Sequence, residues 1–421
     1  MSKLSQSVFS LDHHSLVEFI AKTDNVLIIQ DLDGVCMDLV KDPLTRTIDP
    51  EYLQAAKSLE RHFFVLTNGE HIGKRGVKGI VERAFKDDEL VKKDGLYLPG
   101  LAGGGVQWQD CYGNVSHPGV SQSELDFLDS VPQKIDISLR KFFKEHDCGF
   151  SSAELDQAIA STILTNKVSP TVNLNVFYEE LTDKKVFAQL QQEMKQLTED
   201  LLAEAKSMGL DDSFFVHYAP NLGRDEQGKE IIQVSSDGHS GTTDLQFMLR
   251  GAVKEAGVLF LLNNYYYLQT GRYPLGEKFN SREAPRTQAE LLALVKDKFD
   301  PALMPAIIGV GDTVTSKAET QDNEFIFRRG GSDRGFLELV QAIGQEFNTE
   351  NLVVYVDSSA GELKNRQALK LDESKTKVIS GIGDSRDNSD PLTLNVVFPG
   401  GYQEYTQMFQ TAAQKRNANS N

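Results

Sequence analysis

Four consecutive apolar residues, Val26-Leu27-Ile28-Ile29, run through Gln30 into Asp31-Leu32-Asp33-Gly34. A short run rich in β-branched side chains, with no polar alternation, is the pattern of a strand buried on both faces, as in a parallel sheet. It ends in two carboxylates at its C-terminal edge, which is where open α/β sheets bind ligands. Gly34 then allows a sharp turn. One can then attack while the other handles a proton. A carboxylate that attacks phosphorus makes a covalent acyl phosphate. Two clustered acids also repel each other unless a cation sits between them, and oxygen-only ligands suit Mg²⁺. The plain alternative is a strand followed by an acidic turn.

Downstream, Asp49-Pro50-Glu51 reads as a helix start, with Asp49 as N-cap and Pro50 in the first turn. Phe63-Phe64-Val65-Leu66 is a second buried strand, ending in Thr67-Asn68-Gly69-Glu70-His71. Strand, helix, strand is a right-handed crossover in one sheet, so Thr67 reaches the same edge as Asp31. A hydroxyl and free N–H groups there suit a phosphate oxygen. Glu70 and His71 are candidates for sugar contact; a solvated helix start is the alternative for both.

Asp31-Leu32-Asp33-Gly34-Val35 resembles the first motif of the haloacid-dehalogenase-like phosphatases, and Thr67 with Asn68 resembles the second. With Asp42-Pro43, the pattern is similar to the sugar-phosphate branch typified by trehalose-phosphate phosphatases. Most of the chain resembles the glucosylglycerol-phosphate phosphatases. The resemblance implies an α/β fold: a Rossmann-like core with a parallel sheet and an inserted α+β cap of the C2 type. It implies that Asp31 attacks phosphorus, Asp33 protonates the leaving alcohol, and Thr67 and Asn68 hold the phosphoryl group. Mg²⁺ would be the cofactor, held by Asp31, Asp33 and a third acid. The implied substrate is glucosylglycerol 3-phosphate, in compatible-solute synthesis under salt stress, with the synthase that makes the phosphorylated glucoside as a working partner. A trehalose- or sucrose-phosphate phosphatase, a phosphohexomutase, and a regulatory module that binds sugar phosphate without catalysis remain as alternatives.

The expected division is core 1–115, cap 116–269, core 270–412 and a disordered tail 413–421. Leu98 to Trp108 is glycine-rich but forms no dinucleotide or P-loop motif. Within the cap, Lys184 to Met208 has helical spacing, Val172 to Phe177 alternates as a half-exposed strand does, and His217 on a further strand is a sugar-contact candidate. Gly257 to Leu262 reads as a core strand. The third-motif cation is open between Lys278 and Arg286, with Lys229 and Lys254 as weaker options. Ile307 to Val310 is an apolar strand leading into Gly311-Asp312, which resembles the fourth, metal-binding motif. The second acid usual four residues later is Ser316 here, so Ser316 acts indirectly or Asp322 or Asp333 takes the place. Asp384, in an acid-rich stretch, is a rival to Asp312. Arg328 and Arg329, near Arg334, suit either substrate or a salt-bridged loop.

With 61 acidic and 44 basic residues the formal charge is −17. That field repels nucleic acid and anionic membrane, and neither is an expected partner. It also repels a phosphorylated substrate, so local cations at the site must overcome it. Three cysteines without metal-ligand spacing fit a reducing cytoplasm. No apolar run approaches a membrane span.

Overall fold

The computed structural model describes residues 1–421 except 41, 74, 220, 225–229, 236–239, 252, 322–323, 363–365, 385 and 421. Two candidates, Lys229 and Asp322, lie outside the described residues. The chain divides into two compact units, one of Met1–Gly119 with Gly251–Asn421, the other of Val120–Arg250.

In the first unit, α1 (His13–Lys22) precedes β1 (Val26–Gln30), and α2 (Pro50–Ser58) leads to β2 (Phe63–Leu66). The short strands β3 (Gly100–Ala102), β4 (Gln107–Gln109) and β5 (Val115–Ser116) follow. After the insertion come α3 (Lys254–Thr270), β6 (Ala306–Gly311), α4 (Arg334–Phe347), β7 (Leu352–Val356), β8 (Val396–Phe398) and α5 (Gly401–Ser420). The eight strands form one sheet in the order β8-β7-β6-β1-β2-β3-β4-β5. Pairing is parallel from β8 to β3, and antiparallel only at the β4 and β5 edge. Strand order runs outward in opposite directions from β1 and β6, so their C-terminal ends border the crevice where such sheets bind ligands.

The apolar run of β1 is explained by two cores. Val26 and Ile28 pack on one face with α1, α2 and α5, through Leu16, Tyr52 and Phe409. Leu27 and Ile29 pack on the other with α3 and α4, through Leu259, Leu262 and Phe336. Gln30, fully buried at the strand's end, donates to the Tyr52 hydroxyl at 2.6 Å and accepts from the Tyr405 hydroxyl at 2.6 Å. A single amide thus satisfies two buried phenols and ties β1 to α2 and α5.

Three expectations need correction. Gly257–Leu262 is not a strand but part of α3, and it belongs to the core unit rather than to the insertion, whose limits are 120–250. The helix is buried on nearly every side, with Val258, Leu259, Leu261 and Leu262 at 0% exposure, so no polar face marks its period. Val172–Phe177 is a strand only over Thr171–Asn173 and then turns into the helix Asn175–Glu180. The tail is helical through Ser420, not disordered: Ala412 and Ala413 are buried, and the Arg416 guanidinium donates to the carbonyls of Ile20, Thr23 and Asp24. The Ile20 and Thr23 carbonyls are among those that the end of α1 leaves without helical partners, and Asp24 lies just beyond it.

The insertion is α+β as expected. An antiparallel sheet orders Ile163–Leu164, Thr171–Asn173, Asp244–Leu249 and Phe214–Ala219. Two helices of 24 residues, Gln122–Glu145 and Lys184–Ser207, accompany it. Phe127, Phe214 and Phe247 pack mutually at 5.1–5.8 Å between ring centroids. Among the described residues, no helix is long and apolar enough to cross a membrane.

Replacing Gln30 by Leu leaves the Tyr52 and Tyr405 hydroxyls buried without that partner. Urea unfolding should show a loss of about 1–3 kcal/mol, and an unchanged midpoint would contradict the assigned network.

Candidate active site

Asp31 follows β1 directly, and its N–H donates to the Val310 carbonyl on β6 at 2.9 Å. Asp312 follows β6 and Asp333 precedes α4. One carboxylate oxygen from each of Asp31, Asp312 and Asp333 lies within 4.8 Å of the others, and all three side chains are buried. Two glycines make this approach possible. A Cβ on Gly311 would lie 2.7 Å from the Asp333 side chain. A Cβ on Gly34 would lie 2.4 Å from Asp312 Oδ2, and Gly34 has φ of +77°, which other residues rarely adopt.

Lys254, at the start of α3, is the cation of this cluster. Its ammonium, 3% exposed as a residue, lies 2.6 Å from Asp333 Oδ1 and 3.1 Å from Asp31 Oδ1. The other oxygen of Asp333 accepts the N–H groups of Asp312 and Thr313 at 2.9 and 3.0 Å. Burial pushes the Asp31 carboxyl well up, Asp333, Asp312 and Asp33 add to this, and Lys254 opposes it. Asp312 is pushed up to about 6, first by burial and then by Asp333. Burial lowers the Lys254 pKa, but its two carboxylates more than offset this and hold it above the usual lysine value.

The donor set fits a divalent cation. Asp31 Oδ1 and Asp312 Oδ2 are buried and accept no hydrogen bond, the contact of Asp31 with Lys254 being one of charge without hydrogen-bond alignment. Asp333 is committed to Lys254 and to backbone N–H groups. That leaves hard oxygens from Asp31 and Asp312 for an ion such as Mg²⁺.

Thr67 is buried at the end of β2, and its hydroxyl accepts from the Gly69 N–H at 3.2 Å. A Cβ on Gly69 would lie 3.6 Å from Thr67 Oγ1 and 3.9 Å from Asp33 Oδ2, so that turn lies beside both groups. Asn68 is exposed. Asp33 is paired with Arg46, Nε to Oδ1 at 2.8 Å. Burial pushes its carboxyl up, with Arg46 and Lys254 opposing.

The remaining candidates are distributed elsewhere. Lys278 and Arg286 are exposed, and the cation on Asp31 is Lys254. Glu70 is buried, its carbonyl receiving the Val77 N–H. His71 is fully buried, its Nε2 lies 3.0 Å from the Gly100 carbonyl, and burial pushes the imidazole down to about 4. His217, in the inserted unit, pairs with Glu230 at 3.0 Å. Arg329 grips Asp387 through Nε and Nη2 at 2.9 and 2.6 Å, and Arg334 pairs with Asp390 and Glu338. Arg328 is exposed. Ser316 donates to Asp387 at 2.5 Å rather than joining the acids, and Asp384 is held low by the hydrogen-bonded Arg386.

The model of the glucosylglycerol-phosphate phosphatases matches residues 25–413. The chain belongs to that family. A glucosylglycerol-phosphate phosphatase from Synechocystis sp. is 57% identical over 416 residues, 98% of each chain. Among solved structures, the C-terminal domain of C. albicans trehalose-6-phosphate phosphatase aligns with 97% of this chain and 99% of its own, at 9% identity and a TM-score of 0.43. An Aspergillus fumigatus trehalose-6-phosphate phosphatase aligns with 98% and 99%, at 12% identity and a TM-score of 0.41.

In this glucosylglycerol-phosphate phosphatase family member, sequence pattern brings out Asp31, Thr67 and Asp312 but ranks Lys254 low and passes over Arg46 and Arg366. Arg366 donates to the Thr313 hydroxyl at 3.0 Å and lies 3.8 Å from Asp312. The usable signal for Lys254 was its place before an apolar helix whose start meets the sheet edge. Arg46 and Arg366 sit in irregular segments that carry no periodic signal. Lys254→Met strips the buried acids of their counter-charge and should cost roughly 3–5 kcal/mol in urea unfolding. Lys278→Met should stay within about 0.5 kcal/mol of the parent; equal effects would refute the central place of Lys254.

Proposed function

We propose that this chain is a Mg²⁺-dependent phosphatase that releases phosphate from glucosylglycerol 3-phosphate. The observation that carries the reading is the buried Asp31, Lys254, Asp312 and Asp333 cluster, on a chain that matches the Synechocystis phosphatase over nearly its whole length. An Asp31 oxygen attacks phosphorus, and the bond from phosphorus to the glycerol oxygen breaks. Asp33 gives that oxygen its proton. Water then attacks the aspartyl-phosphate, Asp33 takes the water's proton, and phosphate leaves with Asp31 restored. Thr67 holds a phosphoryl oxygen, with Asn68 beside it. Lys254 keeps Asp31 ionised and in place. Asp31, Asp312 and the carbonyl of Asp33 are the groups that would hold Mg²⁺, which when bound supplies positive charge to the transferring phosphoryl group.

In this role the protein works in the cytoplasm, taking its substrate from the synthase that makes the phosphorylated glucoside, in compatible-solute synthesis under salt stress. A non-catalytic binding module has no use for a buried nucleophile with an attendant lysine, which favours the enzyme.

Phosphate release from a panel of sugar phosphates tests this. Glucosylglycerol 3-phosphate should be the best substrate. Asp31→Asn should lose at least about 10⁴-fold in kcat, and chelation should abolish turnover until Mg²⁺ is restored. Faster release from trehalose or sucrose phosphate would overturn the substrate and keep the chemistry. A requirement for an activating bisphosphate would point to a mutase. Tight binding without release would favour the regulatory module.

A further inference from the structure

Arg46 lies in the irregular segment between β1 and α2. Its Nε is 2.8 Å from Asp33 Oδ1. Both atoms are buried, and neither makes an aligned hydrogen bond, so their contact is one of charge. The ion pair offsets the burial of both charges.

The segment that carries Arg46 is pinned on both sides. Before it, Asp42 accepts the Leu44 N–H at 2.9 Å, the Thr45 hydroxyl donates to the Asp42 carbonyl at 2.8 Å, and the Leu39 carbonyl accepts from Glu362 at 2.9 Å. After it, Ile48 is buried, and Asp49 caps α2 while accepting from Gln410 at 2.7 Å. The guanidinium thus projects from a fixed support. The other oxygen of Asp33, Oδ2, is the one beside the Gly69 and Thr67 turn. The carboxyl spans from Arg46 on one side to the phosphate-holding turn on the other.

We propose that Arg46 is a positioning residue for Asp33: it anchors Oδ1 so that Oδ2 is presented to the oxygen of the departing alcohol. This rests on Asp33 being the acid of the reaction proposed above. When the bond from phosphorus to the alcohol oxygen breaks, its electron pair goes to that oxygen, which takes the proton from Oδ2. Arg46 itself transfers nothing. An alkoxide is a poor leaving group, so a carboxyl about 1 Å out of place costs about 100-fold. A nitrophenolate departs without a proton and makes little demand on the acid.

The test compares kcat/KM, which reports transfer to Asp31 and not the later hydrolysis in which Asp33 serves as base, for the parent enzyme, Asp33→Asn, Arg46→Met and Arg46→Lys, with Mg²⁺. Two substrates are used, the best sugar phosphate of the panel and p-nitrophenyl phosphate. Arg46→Met should lose about 100-fold in kcat/KM on the sugar phosphate. That loss should exceed its loss on p-nitrophenyl phosphate by about tenfold or more, in the same sense as Asp33→Asn. Arg46→Lys, which keeps the charge, should recover part of the difference. Equal losses on the two substrates, or no loss on either, would overturn the proposal, because a purely structural role does not depend on the leaving group. If Asp33→Asn itself loses equally on both, the acid assignment fails instead, and the two failures are told apart.

Discussion

The ammonium of Lys254, closed off from solvent between Asp31 and Asp333, is the contact around which the core is arranged. Carboxylates buried this close raise one another's pKa, and Asp31 is pushed well up by burial and its neighbours. A single cation at 2.6 and 3.1 Å offsets part of that cost for both. The second oxygen of Asp333 then fixes the N–H groups of Asp312 and Thr313. One charge set thereby ties together β1, β6, α3 and α4. The parallel sheet is what allows this, since β1 and β6 are neighbours whose ends open on the same crevice.

The legible part of the sequence was its buried strands and the acids at their ends. Val26–Ile29 and Ile307–Val310 are apolar without alternation because both faces of the sheet are covered, and each leads into an acid that has no other reason to stand beside a core strand. Asp333 was open as a replacement for the acid that Ser316 cannot supply, and it does stand against Asp312. The same logic misled at α3. A helix buried all round has no polar stripe, so its apolar run looks like a strand, and Lys254 lost the position at the sheet edge that marks it. The C-terminal tail failed in the opposite way: its polar residues suggested disorder, but Arg416 bonds to carbonyls at the end of α1. The basic group near Arg328 could not be read either, because the acids that pair with Arg329 and Arg334 lie at Asp387 and Asp390, far along the chain.

A formal charge of −17 works against holding a phosphorylated substrate. The core answers with cations placed among the acids. Lys254 stands on Asp31, Arg46 on Asp33, and Arg366 beside Thr313 and Asp312. At these distances local charge outweighs the distant surface field, which salt screens over about 10 Å.

In the proposed reaction Asp31 becomes covalently phosphorylated. Acid quench within the first turnovers on the best sugar phosphate, followed by mass analysis of the peptide that contains Asp31, detects that group. A phosphoryl group should appear on Asp31, be lost within the time of one turnover and be absent from Asp31→Asn. An unmodified peptide throughout active turnover, or a phosphoryl group on another residue, would contradict the proposed reaction.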